Sequence, residues 1–339
     1  MYEHFKGRFA NTRILVIGDL MLDKYIVGDA VRLSPEAPVP IVIIKSERSV
    51  PGGAANVAAN LATLGCKVTA MGIVGSDNDG TELFNLMQKI GIETSRSLIA
   101  SGSEEYRETT VKTRVIANDH QIVRYDKEEA KKICERMETL LIGLLTEDLS
   151  KGLYDAIIIE DYAKGVITQR IVTEVISACK KAKIPVAIDP CIKNKLEMAG
   201  VTIMTPNRQE AFELVGMRDY HEWENPLEDE QLELVANSIF SIFKPVLLLI
   251  TLGSDGMLLV EGRGDFKHIP TKAIEVFDVS GAGDTVIASL TASYAVCGDA
   301  VEASSFSNNA AGVVVGKHGA ATITIDEIER HQKETELII

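Results

Sequence analysis

Paired cysteines, a basic surplus and long apolar runs are all missing from this sequence, and each absence removes a class of protein. The five cysteines (Cys66, Cys134, Cys179, Cys191, Cys297) are odd in number, scattered and free of CxxC spacing. That suits reduced thiols better than a disulfide frame or a zinc site. Lysine and arginine number 35 against 49 aspartates and glutamates, a formal net charge of −14. A general nucleic-acid binder needs a basic footprint, so no nucleic acid is expected as a partner. A phosphorylated small molecule stays open, because a local Lys/Arg pocket can sit in an acidic protein. No run reaches the roughly 18 apolar residues that a membrane helix needs, and the opening MYEHFKGRFANTR lacks an apolar signal core. No membrane partner is expected, and the expected location is cytoplasmic. Two nucleotide motifs are absent as well. Gly312–Lys317 (GVVVGK) has the wrong spacing for a Walker A loop, and no GxGxxG follows the first strand. No linker, low-complexity run or internal repeat divides residues 1–339, which read as one domain.

What is present is a soluble composition, 46% hydrophobic and 25% charged, and a repeated strand-then-helix pattern. Short apolar runs at Arg13–Gly18, Lys67–Val74, Ala156–Ile159, Pro185–Ile188, Val201–Met204 and Val246–Thr251 predict strands. Helical periodicity predicts helices over Ala54–Leu64, Glu82–Ile90, Thr168–Lys181, Gln209–Val215, Gln231–Phe243 and Ala282–Val296. This alternation defines an α/β fold, a mostly parallel sheet covered on both faces. Ligands of such folds gather beyond the carboxyl ends of the strands. Asp19, Asp161, Asp189 and Asn207 all fall there, although polar residues end most buried strands. Two stretches break the pattern, about residues 24–48 and 108–126. Each reads as paired strands with no helix between, the second turning near Asn118-Asp119. They are expected to form a small β-sheet lid over the site; the alternative is edge strands of the main sheet. Ile26, Val39, Ile41, Ile43, Val111, Val115 and Val123 would leave that sheet an apolar face, so a homodimer packed lid to lid is expected.

The stretch Phe277-Asp278-Val279-Ser280-Gly281-Ala282-Gly283-Asp284-Thr285 is the most informative. A glycine-rich turn feeding a helix aims backbone N–H groups at one point, where the helix dipole also favours an anion. Asp284 would repel a phosphate bound there. It makes sense as a general base taking a proton from an attacking hydroxyl. The plain alternative is a helix cap. Pro51-Gly52-Gly53-Ala54-Ala55-Asn56 suits a close approach to a polar ligand, with Asn56 able to bond a sugar hydroxyl. Asn207-Arg208-Gln209-Glu210 reads as a near capping box, or as a site beside a hydrated magnesium ion. Thr251-Leu252-Gly253-Ser254-Asp255-Gly256 reads as a turn against a nucleotide.

In this order, with Gly18–Asp23 (GDxxxD), these motifs resemble the ribokinase-like sugar kinases, the phosphofructokinase B family. The likeness spans nearly the whole chain. It implies a ribokinase-like three-layer sandwich with a small β-sheet lid, and ATP-dependent phosphorylation of a sugar hydroxyl with Mg2+. By position it implies Asp284 as base and Gly281, Ala282 and Gly283 as the anion hole. Asp19, Asp23, Gly52, Gly53 and Asn56 would hold sugar hydroxyls. Asn207 and Glu210 would serve the magnesium-water region. Thr251, Gly253 and Gly256 would face the nucleotide, with Asn309 and Gly312 at the adenine. Asp278 and Ser280 match a loop that in many members binds K+.

Arg32–Pro40 (RLSPEAPVP), Pro51–Val57, Asp161–Gly165 (DYAKG) and Ala310–Gly316 are most similar to family members acting on D-glycero-β-D-manno-heptose 7-phosphate. Those members phosphorylate its anomeric hydroxyl on the way to ADP-heptose for lipopolysaccharide. The resemblance leaves open another sugar (fructose 1-phosphate, ribose or a ketodeoxygluconate) or a non-catalytic sugar binder on the same fold. A phosphorylated substrate needs cations, and Arg114, Arg124 and Lys164 are the candidates. One departure stands after Asp189-Pro190, where the pattern has Lys and this chain has Cys191; Lys193 or Lys195 would have to substitute. Many such kinases are fused to a nucleotidyltransferase carrying HxGH. That motif is absent here, so the adenylyl step is expected on a separate protein.

Overall fold

The computed structural model describes residues 2–101, 106–220, 225–273, 275–317 and 319–338. Helix α1 (Glu3–Phe9) leads into β1 (Arg13–Gly18), and two long strands follow, β2 (Leu20–Leu33) and β3 (Pro40–Gly53). β3 runs straight into α2 (Ala54–Thr63), then come β4 (Lys67–Met71), β5 (Ile73–Gly75), α3 (Asn78–Lys89) and β6 (Leu98–Ala100). The hairpin β7 (Thr110–Ala117) and β8 (His120–Lys127) precedes α4 (Glu135–Ser150). Next are β9 (Ala156–Glu160), α5 (Gln169–Ala182), β10 (Val186–Asp189), β11 (Ile203–Met204), α6 (Arg208–Leu214), α7 (Glu230–Phe243) and β12 (Leu247–Thr251). The rest is β13 (Met257–Val260), β14 (Phe266–Ile269), α8 (Ala282–Cys297), α9 (Ala300–Val314) and α10 (Ile325–Ile338).

The main sheet has eight strands in the order β14-β13-β12-β11-β10-β9-β1-β4. Six of them, β4 through β12 in that order, pair in parallel, and β13 and β14 add antiparallel at one edge. Successive strand residues go to opposite faces. Ile14, Val16, Ile158 and Leu249 join one buried cluster with residues of α2, α8 and α9. Leu15, Ile17, Ile159 and Ile250 join a second with residues of α4, α5 and α7. Strands buried on both faces explain the unbroken apolar runs, and three layers result. The run at Lys67–Val74 is not one strand. It breaks at Gly72, where a Cβ would lie 2.6 Å from the Gly18 carbonyl oxygen, and β5 leaves to pair with β6.

A second, four-stranded sheet has the order β3-β2-β7-β8. β2 and β7 are parallel, with Asp23 opposite Lys112 and Tyr25 opposite Arg114. The β7–β8 hairpin turns through Asn118 and Asp119, both left-handed (φ 52° and 64°), the two-residue turn whose twist suits a hairpin. β2 starts two residues after β1 and β3 ends where α2 begins, so this sheet is rooted at the carboxyl end of the main one. Its outer half is open on both faces: the neighbours Ile43 and Ile44 point to opposite sides, yet each is 52% exposed. Val31, Leu33, Val39 and Val123 are exposed too, whereas Val111 belongs to the core. Among the described residues, no helix is long and apolar enough to cross a membrane.

Candidate active site

The site forms around the start of α8. Gly281 sits in the left-handed region (φ 79°), and a Cβ there would come 2.9 Å from the Asn56 amide nitrogen. Only glycine permits both the turn and that approach. The first-turn N–H groups of Gly283 and Asp284 point off the helix end, where an anion fits. Two cavities meet at this turn. The larger, about 530 Å³, is lined by Thr251, Gly253, Gly256, Ala282, Gly283 and Gly312 among others. The smaller, about 180 Å³, is lined by Asp23, Gly53, Lys112, Arg114, Tyr162, Gly281 and Asp284 among others. One turn of helix thus borders both, with Asp284 on the smaller side.

Asp284 is 5% exposed. Its Oδ1 accepts the Tyr162 hydroxyl at 2.6 Å and its Oδ2 accepts the Asn56 amide at 2.6 Å. Burial pushes its carboxyl above the ordinary value, and the Tyr162 and Asn56 hydrogen bonds pull against that. Asn56, expected against a sugar hydroxyl, holds the Asp284 carboxylate in this structure. Asp19 corrects the expectation more sharply. Its carboxylate accepts the backbone N–H groups of Tyr162, Lys164 and Val166 at 3.0, 3.0 and 3.1 Å. Both oxygens organise the loop after β9, and Asp19 is not among the residues lining the smaller cavity. Asp23 does line it, meeting Arg114 as an ion pair at 3.0 Å out of hydrogen-bond alignment. Gly52 lets that pair in, since a Cβ there would lie 2.8 Å from the Asp23 carboxyl carbon.

Each expected phosphate cation already has a carboxylate partner: Arg114 with Asp23, Arg124 with Asp126 at 3.0 Å, Lys164 with Glu128 at 2.6 Å. Lys112 was not foreseen. Two residues before Arg114 on β7, it shares that face, lines the smaller cavity and stands 5.2 Å from the centre of the Tyr162 ring. Burial lowers its pKa, opposed by the Asp23 charge and helped by Lys164 and Arg124. Strand alternation from Arg114 was the available signal. The Arg32–Pro40 stretch lies at the outer tip of the small sheet, is exposed, and is absent from the linings of both cavities.

On the other side, Thr251, Gly253, Gly256 and Gly312 line the larger cavity, and Asn309 does not. Its amide donates to the Tyr2 hydroxyl (3.2 Å) and the Ser305 carbonyl (2.9 Å). Asn308, about 100° away on α9, lines the cavity instead. Asn207 and Glu210 form a complete capping box at 2.9 Å in both directions. Glu210, Glu160, Asp189 and Asp284 crowd this end of the sheet. Burial raises the carboxyls of Glu160 and Asp189, and their acidic neighbours raise them further. Glu160 Oε2 is buried without a hydrogen-bond partner. Crowded carboxylates suit a cation arriving with a nucleotide. Among the described residues no cluster of His, Cys, Asp or Glu is built to hold a metal directly. Asp278 accepts the Ser280 and Gly319 N–H groups at 2.9 Å each, tying two loops together. Burial acts to raise its carboxyl, but those bonds and the Arg114 charge hold it below the ordinary value. Cys191 is half-buried, its thiol pushed up by burial, while Lys193 and Lys195 are exposed.

A sheet-end site of this kind, on a three-layer fold with a second small sheet, is that of a carbohydrate kinase. The chain belongs to the pfkB family of carbohydrate kinases, whose model matches residues 11–327. It is 41% identical over 322 residues to the bifunctional protein HldE of Sulfurimonas denitrificans, covering 94% of this chain and 64% of that protein. To the bifunctional protein HldE of Trichlorobacter lovleyi it is 39% identical, over 97% of this chain and 64% of the relative. The chain thus spans about two-thirds of the length of these relatives. Its fold is similar to that of Escherichia coli phosphofructokinase-2 in complex with potassium (TM-score 0.75, 18% identity, 96% and 99% of the two chains). It is also similar to Arabidopsis thaliana ribokinase complexed with ribose and ATP (TM-score 0.69, 18% identity, 95% and 99%).

Proposed function

We propose that the chain transfers the γ-phosphoryl group of ATP to the anomeric hydroxyl of D-glycero-β-D-manno-heptose 7-phosphate, giving the 1,7-bisphosphate for ADP-heptose and lipopolysaccharide synthesis in the cytoplasm. The observation that carries this reading is the first turn of α8 between two cavities, with the acid on one side and open N–H groups facing the other. ATP occupies the larger cavity. The sugar phosphate occupies the smaller, its acceptor hydroxyl against Asp284, which takes the proton. The Gly283 and Asp284 N–H groups steady the phosphoryl group in flight, so positioning and charge stabilisation dominate. Glu210 is the residue that would hold Mg2+ through water, and the ion would supply charge neutralisation at the phosphates. Asp278 and Ser280 are the residues beside which K+ would sit. Lys112, with Arg114, Arg124 and Lys164, meets the substrate's phosphate, and the small sheet closes over it as a lid. Two copies pack through the exposed outer halves of their lids. Release of ADP measured with Mg2+, ATP and a panel of heptose 7-phosphate, fructose 1-phosphate, ribose and ketodeoxygluconate tests the assignment. Turnover confined to the heptose phosphate supports it; preference for another sugar replaces the substrate, and no turnover on any removes the activity.

A further inference from the structure

We propose that Tyr162 is a positioning residue: its hydroxyl and the Asn56 amide clamp the two oxygens of Asp284, and Tyr162 fixes the orientation in which that carboxylate meets the acceptor hydroxyl. This rests on the reading of Asp284 as the base. Tyr162 donates to Oδ1 at 2.6 Å while Asn56 donates to Oδ2 at 2.6 Å. Each carboxylate oxygen has two lone pairs, so one on each stays open to a substrate hydroxyl. The clamp is itself anchored. Tyr162 follows β9 in a loop whose N–H groups at Tyr162, Lys164 and Val166 all end on the Asp19 carboxylate. The Asp19 carbonyl in turn accepts the Ala54 N–H at 3.1 Å, at the start of the helix carrying Asn56. One residue thus ties down both sides of the clamp. Burial beside Asp284 keeps the phenol neutral, hence always a donor.

A donor of this kind favours the ionised carboxylate, so losing it raises the proton affinity of Asp284. The other charges facing Asp284 are Asp23 and Lys112 from the small sheet and Glu160 and Asp189 from the ends of β9 and β10. All of them remain in Tyr162→Phe, which also keeps the ring. That variant should shift the acidic limb of the kcat–pH profile upward by about one to two pH units, a roughly 10- to 100-fold loss of kcat on that limb. Well above the limb kcat should largely recover, and KM for ATP should stay within about twofold. Asp19→Asn, which weakens the anchor, should shift the limb the same way by less. The carboxyl carbon of Asp284, followed by NMR against pH without substrate, should titrate higher in Tyr162→Phe than in the unaltered protein. An unchanged limb and an unchanged titration overturn the proposal. If the unaltered protein turns over no sugar, the base assignment falls, and the titration still decides whether Tyr162 holds the carboxylate.

Discussion

Lys112 lies over the face of Tyr162, 5.2 Å from the ring centre, and so links the small sheet to the residue that grips Asp284. Arg114, Arg124 and Lys164 each contact a carboxylate, whereas Lys112 forms no ion pair among the described residues. Lys112→Met should therefore raise KM for the phosphorylated sugar about 10- to 100-fold, the size of one charge-assisted contact. Lys164→Met should do less, because Glu128 already shares that charge. Steady-state kinetics with ATP saturating distinguish the two; equal losses would make Lys112 no more than another rim charge.

Asp284→Asn should keep the fold and ATP binding while lowering kcat by about 10²–10⁴-fold, the usual reach of general-base catalysis. Nucleotide affinity by calorimetry and turnover by ADP release are the paired measurements. Near-normal turnover would take Asp284 out of the chemistry.

Asp161 gives a pH signature in stability. Burial pushes its carboxyl up to about 7, against N–H bonds from Ala163 and Asn194. A folded-state value above the unfolded one means the folded protein binds the extra proton. The associated stability is fully present below about pH 4 and is lost as pH rises through 7. Asp161→Asn should remove this loss, so its stability relative to the unaltered protein should climb between pH 4 and 7 by on the order of 2–4 kcal/mol. Urea denaturation at a series of pH values reads it, and a flat difference would count against the buried acid.

The outer half of the small sheet predicts association. Ile43→Lys together with Ile44→Lys places charge on both faces of the tip, where both isoleucines are half exposed. The pair should turn a dimer into a monomer in light scattering without changing the melting temperature by more than a few degrees. A protein monomeric before the change at micromolar concentration would refute the lid-to-lid contact.

The parts of the fold readable in the sequence were those whose pattern is local. Arg13–Gly18 is a six-residue apolar strand between polar ends, and it pairs over that span. The glycine turn before α8 is legible because few residues but glycine tolerate it. What was not legible depends on partners distant in the chain. The GDxxxD spacing places Asp19 at a strand end, but only the loop arriving from β9, some 140 residues later, shows that its oxygens are taken. Asn308 and Asn309 are chemically identical, and the phase of α9 decides between them; Asp299 caps that helix and sets its start. The α9 sequence AVEASSFSNNAAGVV buries polar and small residues such as Ser304, Ser307, Asn308 and Asn309 alongside its apolar ones, so no apolar stripe announced it.

The long strands β2 and β3 begin and end at Leu20 and Gly53, beside the Asp19 anchor, and run fourteen residues outward. Geometrically they form a long arm rooted at the floor of the proposed site. At about 3.4 Å per residue such an arm is roughly 48 Å long, so a tilt of about 5° at the root carries the tip through about 4 Å. The ratio works in reverse as well. A displacement of an ångström or two at the tip reaches Asp23 and Lys112, only a few residues from the root, as a small fraction of that distance. Contacts at the tip can therefore tilt the arm considerably while leaving the clamp on Asp284 almost where folding put it.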